Sequence, residues 1–136
     1  MALGVREIPG PRNNPRIVMY HQTTVGGAAP DETPWCSSFV NYCVEQAGLH
    51  GTDSKVALSW QNWSDVATAP QPGDVVVFRR SGPSGSGGHV GFWISQSDAK
   101  IRVLGGNQEN TISIADFPKD GMLLQTHSHL VSIRRA

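Results

Sequence analysis

The first helical pattern in the chain lies at residues 35–47. Apolar side chains recur there at the spacing of one helix face: Phe39, Val40, Cys43, Val44 and Ala47. Gly48 follows directly, and glycine often ends a helix because it adopts the left-handed conformation without strain. The pattern predicts an amphipathic helix that begins near residue 35 and ends at Gly48.

A series of strand patterns follows this helix. Short apolar segments bounded by turn residues predict strands at residues 74–78, 89–95, 101–104, 111–114 and 130–133. Residues 54–63 are predicted to form a second helix, and residues 16–21 a short helix or an extended piece. A helix followed by a run of strands predicts an α+β fold with a mostly antiparallel sheet of about five strands. The 136 residues fit one domain, which we place at 1–136.

Charge and hydropathy exclude several classes of partner. The chain carries 11 basic and 11 acidic residues, a balance that favours neither nucleic acid nor a membrane surface as partner. No apolar run has the length of a membrane span. Residues 1–7 lack the apolar core of a signal peptide, so we expect another delivery route or a domain excised from a longer chain. We expect a monomer.

The two cysteines are predicted to be free thiols. Cys36 and Cys43 are seven residues apart, about 10 Å along a helix, which is too far for a disulfide. Neither they nor the scattered histidines have the spacing of a zinc site, so the sequence predicts no metal and no cofactor. Cys43 falls two turns along the same helix and is predicted to be a core residue.

Cys36 is the strongest candidate for a chemical role. It stands where a polar, proline-containing loop becomes a helix, and the unpaired N–H groups of a first helical turn stabilise a thiolate. His89 opens an apolar strand after the glycine- and serine-rich segment 81–88, which reads as a flexible loop. Asn107 lies at the end of the next strand. This order matches a thiol hydrolase: Cys36 is the nucleophile, His89 its base, and Asn107 the group that orients the imidazole.

Strands 89–95 and 101–104 are predicted to pair as a hairpin around residues 97–100, which returns the chain from Leu104 toward His89. Gln108 is an alternative to Asn107 as the orienting amide.

The backbone N–H of Cys36 is the expected first oxyanion donor. The second donor stays open among four residues before the helix: Asn13, Asn14, Tyr20 and Gln22. Trp35, next to the nucleophile, either shapes the cleft or packs in the core.

Four segments together resemble the CHAP and NlpC-type superfamily of papain-like peptidoglycan amidases and endopeptidases. They occur in the family's order and read PWCSSFVNYCVEQAG, PGDVVVF, GHVGF and LGGNQ. The resemblance spans roughly residues 5–125 and is closest to small CHAP-like domains of phage lysins and antibacterial effectors. It implies a papain-like fold. One departure concerns Gly105, which stands where many CHAP domains carry a glutamate, so the resemblance implies a Cys-His-Asn set.

The resemblance implies a cysteine amidase or endopeptidase that cleaves peptidoglycan as a lysin or toxin. Such a protein would act in the target cell and would be opposed by a cognate immunity protein. A second reading keeps the chemistry and makes the substrate an intracellular protein, with a preference for small residues such as glycine if Trp35 narrows the cleft. A third reading is an inactive wall-binding module. The presence of Cys36, His89 and Asn107 together argues against it, and alkylation of the thiol would leave a binding module unaffected.

Overall fold

The computed structural model describes residues 15–24, 35–81, 87–108, 111–123 and 126–135. The described strands are preceded by two α-helices, α1 at Pro15–His21 and α2 at Cys36–Gln46, and by a 3₁₀ helix at Ala57–Asn62. The strands are β1 (Asp65–Val66), β2 (Val75–Ser81), β3 (Gly87–Gln96), β4 (Lys100–Gln108), β5 (Thr111–Pro118), β6 (Asp120–Leu123) and β7 (Thr126–Arg135). The glycine- and serine-rich loop predicted at 81–88 falls largely outside the described residues.

The strands form one antiparallel sheet in the order β1-β7-β2-β3-β4-β5, with β6 paired to β7. The predicted α+β class and antiparallel sheet are therefore confirmed. The five predicted strands correspond to β2, β3, β4, β5 and β7. The predicted number was too low, because the described residues also contain β1 and β6, of two and four residues. Strands this short carry little alternating pattern to detect.

Helix α2 ends as its sequence predicts. Gly48 adopts a φ of 81°, and its N–H donates to the carbonyl of Glu45 over 2.9 Å. The N–H of Leu49 donates to the carbonyl of Val44 over 3.1 Å. These two bonds form a Schellman motif, which satisfies carbonyl groups that the end of a helix leaves unpaired.

The predicted hairpin of β3 and β4 is also confirmed. Phe92 pairs with Leu104 and Gln96 with Ile101. The N–H of Ser97 donates to the carbonyl of Lys100 over 2.9 Å and closes the turn. The hairpin brings the end of β4 back to the start of β3, where His89 lies.

Apolar side chains pack on both faces of the sheet. On one face Val75, Val77 and Val90 pack with the helices. On the other face Val76 and Phe78 join a second cluster with Ile101, Val103 and Phe117. The alternation along β2 follows from the two-residue period of a strand. Among the described residues, no helix has the length and apolar character that crossing a bilayer requires.

The segment at 54–63 forms a shorter helix than predicted, the 3₁₀ helix at Ala57–Asn62. Its Trp60 is fully buried, and the indole Nε1 donates to Ser37 Oγ of α2 over 2.8 Å. Trp63 meets Trp60 edge-on, with ring centroids 5.1 Å apart. Trp60 is therefore a core residue.

Asp74 ties the turn before β2 to the last strand. Its carboxylate accepts from the backbone N–H of Gln71 over 2.8 Å, and from Arg135 Nη2 over 2.7 Å. The hydrogen bond from Arg135 holds the pKa of the Asp74 carboxyl below its ordinary value. The carboxylate therefore stabilises the folded chain above the pKa of an unfolded aspartate, and this contribution is lost as the pH falls through the depressed pKa.

We expect Asp74→Asn to lower the free energy of unfolding by about 1–2 kcal/mol at neutral pH, because it weakens charged hydrogen bonds that solvent partly screens. Urea unfolding at neutral and acidic pH would measure this loss, and the difference from wild type should shrink in acid. Asp116→Asn is the matched control, because its bond to Arg102 lies between two exposed side chains. Equal effects of both substitutions would contradict the prediction.

Candidate active site

Cys36 is the first residue of α2, where the sequence places it. Its side chain is 6% exposed and contributes to the core cluster beneath α2. Helix α2 packs against β3 and β4, which are the strands that carry His89 and the predicted orienting residues. The thiol thus lies at the end of α2 that carries the positive end of the helix dipole.

His89 lies near the start of β3 and is 1% exposed. Its imidazole stacks on the ring of Phe117, with centroids 4.9 Å apart and an angle of 18° between the planes. Phe78 of β2 is the residue paired with His89 across the sheet. Burial and stacking fix the plane of the ring. A residue that acts as a base needs such a fixed orientation toward the group that it deprotonates.

A side-chain amide meets the ring edge of His89, and it is that of Gln108. Oε1 of Gln108 lies 3.0 Å from Nε2 of His89. Asn107 belongs to the described backbone of β4, but its side chain lies outside the described residues. The orienting role of Asn107 therefore stays a prediction, while its alternative, Gln108, is in hydrogen-bond contact with the imidazole.

Two consecutive glycines of β4 face opposite sides of the strand, one toward the imidazole and the other toward the start of α2. A Cβ atom on Gly105 would lie 3.3 Å from Nε2 of His89, whereas one on Gly106 would lie 2.7 Å from the ring of Trp35 and 2.9 Å from Cβ of Phe39. The residue before Cys36 and the predicted base thus contact consecutive residues of one strand. Larger side chains at these two positions would separate α2 from the sheet or displace His89.

Trp35 packs in the core. It is fully buried, and its ring stacks on Tyr20 at a centroid distance of 6.3 Å. Because Trp35 does not line an open cleft, it gives no support to the predicted preference for small residues such as glycine.

Among the candidates for the second oxyanion donor, Tyr20 is also fully buried, and its ring contacts Phe39 and Tyr42. Its hydroxyl group is thereby withdrawn from substrate. Gln22 is exposed just after α1, while Asn13 and Asn14 lie outside the described residues. Of the two described candidates, Gln22 is therefore the exposed one.

The histidine of α1 is buried between the two α-helices. His21 is fully buried, and its Nδ1 lies 2.6 Å from Oγ of Ser38 in α2. This contact joins the two helices. In the described part of the chain, no three side chains of His, Cys, Asp or Glu gather as metal ligands would.

Cys43 differs from Cys36 in its surroundings. Neither cysteine is part of a disulfide, as predicted, and burial raises the pKa of Cys43 to about 11. A raised pKa keeps the thiol protonated, so at about pH 7 only about one molecule in ten thousand carries the Cys43 thiolate, which is the reactive form.

We therefore expect iodoacetamide at about pH 7 to label Cys36 and to leave Cys43 unmodified. Peptide mapping by mass spectrometry would locate the carboxamidomethyl group, and labelling of Cys43 should rise only in strongly alkaline solution. Denatured protein is the control, since unfolding exposes both thiols and should give double labelling. Faster labelling of Cys43 than of Cys36 in the folded protein would contradict both assignments.

Comparison with known proteins gives one match. A family model described as CHAP domain matches residues 28–107, more than half of the chain. The matched region contains Cys36, His89 and Asn107. No curated protein and no solved structure matches the chain significantly.

Proposed function

The chain belongs to the CHAP domain family, a family of amidases and peptidases, and from this premise we propose that it is a papain-like cysteine hydrolase with Cys36 as nucleophile and His89 as base. The observation that carries the proposal is the buried imidazole of His89, which is fixed between Phe117 and Gln108 beside the strand that Trp35 contacts. A rigid, hydrogen-bonded imidazole has the fixed geometry that a general base requires, and we propose that it acts on the thiol at the start of α2.

The proposed reaction has two halves. In the first, the Cys36 thiolate attacks the amide carbonyl carbon, and the backbone N–H of Cys36 donates to the oxyanion that forms. The imidazolium of His89 then gives its proton to the amide nitrogen, the C–N bond breaks, the amine leaves, and a thioester remains. In the second half, His89 takes a proton from water, the hydroxide attacks the thioester, and the C–S bond breaks to release the acid and the thiolate.

We propose peptidoglycan as the substrate, because this is the polymer on which CHAP domains often act. The bond cleaved is then an amide of the peptide stem or of its link to the sugar. In this role the protein is a lysin or an antibacterial toxin, which acts on the wall of a target cell and which a cognate immunity protein would oppose.

Purified protein incubated with sacculi and, separately, with a whole-cell lysate tests the substrate directly. Mass spectrometry of newly formed amine termini identifies the cleaved bond in each case. Wall cleavage supports the proposal. Cleavage confined to lysate proteins supports the protein-substrate alternative, and binding to sacculi without any cleavage supports an inactive wall-binding module.

Directed expression gives a cellular prediction. We expect export to the periplasm to lyse a bacterial host, because the wall is then accessible, and we expect cytoplasmic expression to be harmless. Culture density and viable counts measure the effect, with Cys36→Ala as the control in both compartments. Cys36-dependent toxicity from cytoplasmic expression alone would establish an intracellular target instead, and absence of toxicity in both compartments would favour a housekeeping hydrolase.

A further inference from the structure

We propose that Gln108 is the residue that positions His89, and that it holds the imidazole as the tautomer with its proton on Nε2. The proposal rests on the proposed function, in which His89 is the base for Cys36. In the proposed reaction Gln108 does not touch the reacting atoms. It acts through His89 alone and is a positioning residue.

The direction of the Gln108 amide follows from its other contacts. Its Nε2 lies 2.8 Å from the carbonyl oxygen of Ser113, 3.2 Å from Oγ of Ser113 and 3.4 Å from the carbonyl oxygen of Val103. Carbonyl oxygens only accept hydrogen bonds, so they require the amide nitrogen on their side. The flipped amide would place Oε1 against the Ser113 carbonyl and lose these bonds in a buried site.

The fixed amide determines the protonation of the ring. Because Oε1 of Gln108 can only accept, the atom 3.0 Å from it, Nε2 of His89, must donate and therefore carries a proton. In the neutral imidazole the other ring nitrogen, Nδ1, then has the lone pair. Nδ1 is thus the nitrogen that takes the proton of the Cys36 thiol.

The backbone at Gly105 leaves the space that Gln108 fills. A Cβ atom on Gly105 would lie 2.5 Å from Oε1 and 3.1 Å from Cδ of Gln108. The Gln108 side chain is 5% exposed, so solvent does not compete for this contact. The site therefore receives its orienting group from residue 108, and any side chain at residue 105 would push that group away from the imidazole.

The register of the sheet explains how Gln108 reaches the ring. Ile101 and Val103 share the face of His89, and regular alternation would place residues 105 and 107 on that face as well. The pairing of β4 with β5 shifts between Gly105 and Gln108, which then pairs with Thr111. A bulge of this kind re-aims the side chains that follow it, and here it turns Gln108 toward His89.

Kinetics of matched variants test the proposal. We expect Gln108→Ala to lower kcat about a hundredfold with KM within about twofold, since orientation of the base is lost while substrate contacts stay. Gln108→Glu keeps the acceptor for Nε2 of His89 but places its second oxygen against the Ser113 carbonyl, so we expect only partial recovery of kcat. Its negative charge stabilises the imidazolium, so the pH profile of kcat should also move to higher pH. Gln96→Ala is the matched control, because it removes an exposed glutamine at the opposite end of β3 from His89, and it should retain kcat within about twofold.

Nitrogen NMR of His89 gives a readout that a purely structural role would not move. In the wild-type protein above the ring's titration, we expect the proton on Nε2, and in Gln108→Ala a mixture of tautomers. Thermal melts show whether each variant folds. If Gln108→Ala does not fold, the tautomer of the wild-type protein and the pH profile of Gln108→Glu still test the positioning role of Gln108.

Three results would overturn the proposal: a proton on Nδ1 in the wild-type protein, an unchanged pH profile in Gln108→Glu, or a large loss of kcat in Asn107→Ala with Gln108→Ala active. Failure of the proposed function has a different signature. Hydrolysis that persists in Cys36→Ala would refute the thiol mechanism and leave the NMR result for His89 intact.

Discussion

Replacing Cys36 with alanine is expected to reduce hydrolysis to background, a loss of about 10⁴-fold or more in kcat. The substitution removes the atom that bonds to the substrate carbon, and no neighbouring group replaces it in the proposed reaction. Release of soluble fragments from sacculi, with new amine termini identified by mass spectrometry, is the measurement. Activity equal to wild type would refute the mechanism.

The fold should survive this change. Alanine suits the first turn of a helix, and replacing a thiol by hydrogen leaves a small cavity beside α2. Circular dichroism and a thermal melt would establish that the variant is folded, so that loss of activity can be assigned to chemistry.

Cys43→Ala is the matched control on the same helix. Its thiol has a pKa of about 11 and packs against the apolar cluster beneath α2. We expect nearly full activity, with a loss of about 1 kcal/mol of stability from the small cavity. Loss of activity in a folded Cys43→Ala would contradict the proposal that Cys36 alone acts in catalysis and that Cys43 is a core residue.

Local patterns predicted much of the fold because local interactions determine it. The glycine at the end of α2 and the turn between β3 and β4 act within a few residues, so the sequence around them is sufficient. The 3₁₀ helix at Ala57–Asn62 was predicted as part of a longer helix. There the burial of Trp60 and its bond to Ser37 of α2 involve residues far apart in sequence, and these contacts are invisible to a periodicity argument.

The candidate site shows the same difference between local features, which the sequence predicts, and contacts between strands, which it does not. Chain order and element ends predicted roles for Cys36 and His89, because a thiol at a helix start and a histidine at a strand start are local features. The amide in contact with His89 depends on register. Counting alternate residues from the strand end selects Asn107, whereas the bulge in β4 brings Gln108 to the ring. A bulge arises from pairing with β5, so the sequence of β4 alone does not reveal it.

The sequence also did not predict whether Trp35 is buried. An aromatic residue beside a nucleophile is compatible with a cleft wall or with the core. The choice depends on Gly106. A Cβ atom at this position would lie 2.7 Å from the indole ring, so the absence of a side chain lets β4 approach Trp35 closely. A glycine 71 positions away in sequence thus contributes to the burial of this side chain.

Removing the imidazole in His89→Ala should abolish hydrolysis to nearly the same extent as loss of Cys36, about 10⁴-fold or more, because residues that act as one unit have non-additive effects. The double variant should be no less active than either single variant. The substitution also removes the stacking on Phe117 and leaves Oε1 of Gln108 buried with one partner fewer. Stability must therefore be measured beside activity.

Alkylation separates the chemical effect of His89 from the structural one. In the wild-type protein we expect iodoacetamide to react with Cys36 well below the pH at which an ordinary thiol ionises, near 8.5, because the imidazolium and the helix start favour the thiolate. In a folded His89→Ala this reaction should slow and its pH profile should move toward that of a model thiol. Gln108→Glu should shift the profile the opposite way, since its carboxylate favours the imidazolium that pairs with Cys36. An unchanged alkylation profile in folded His89→Ala would show that the imidazole does not interact with the thiol, and the assignment of His89 as the base would then be wrong.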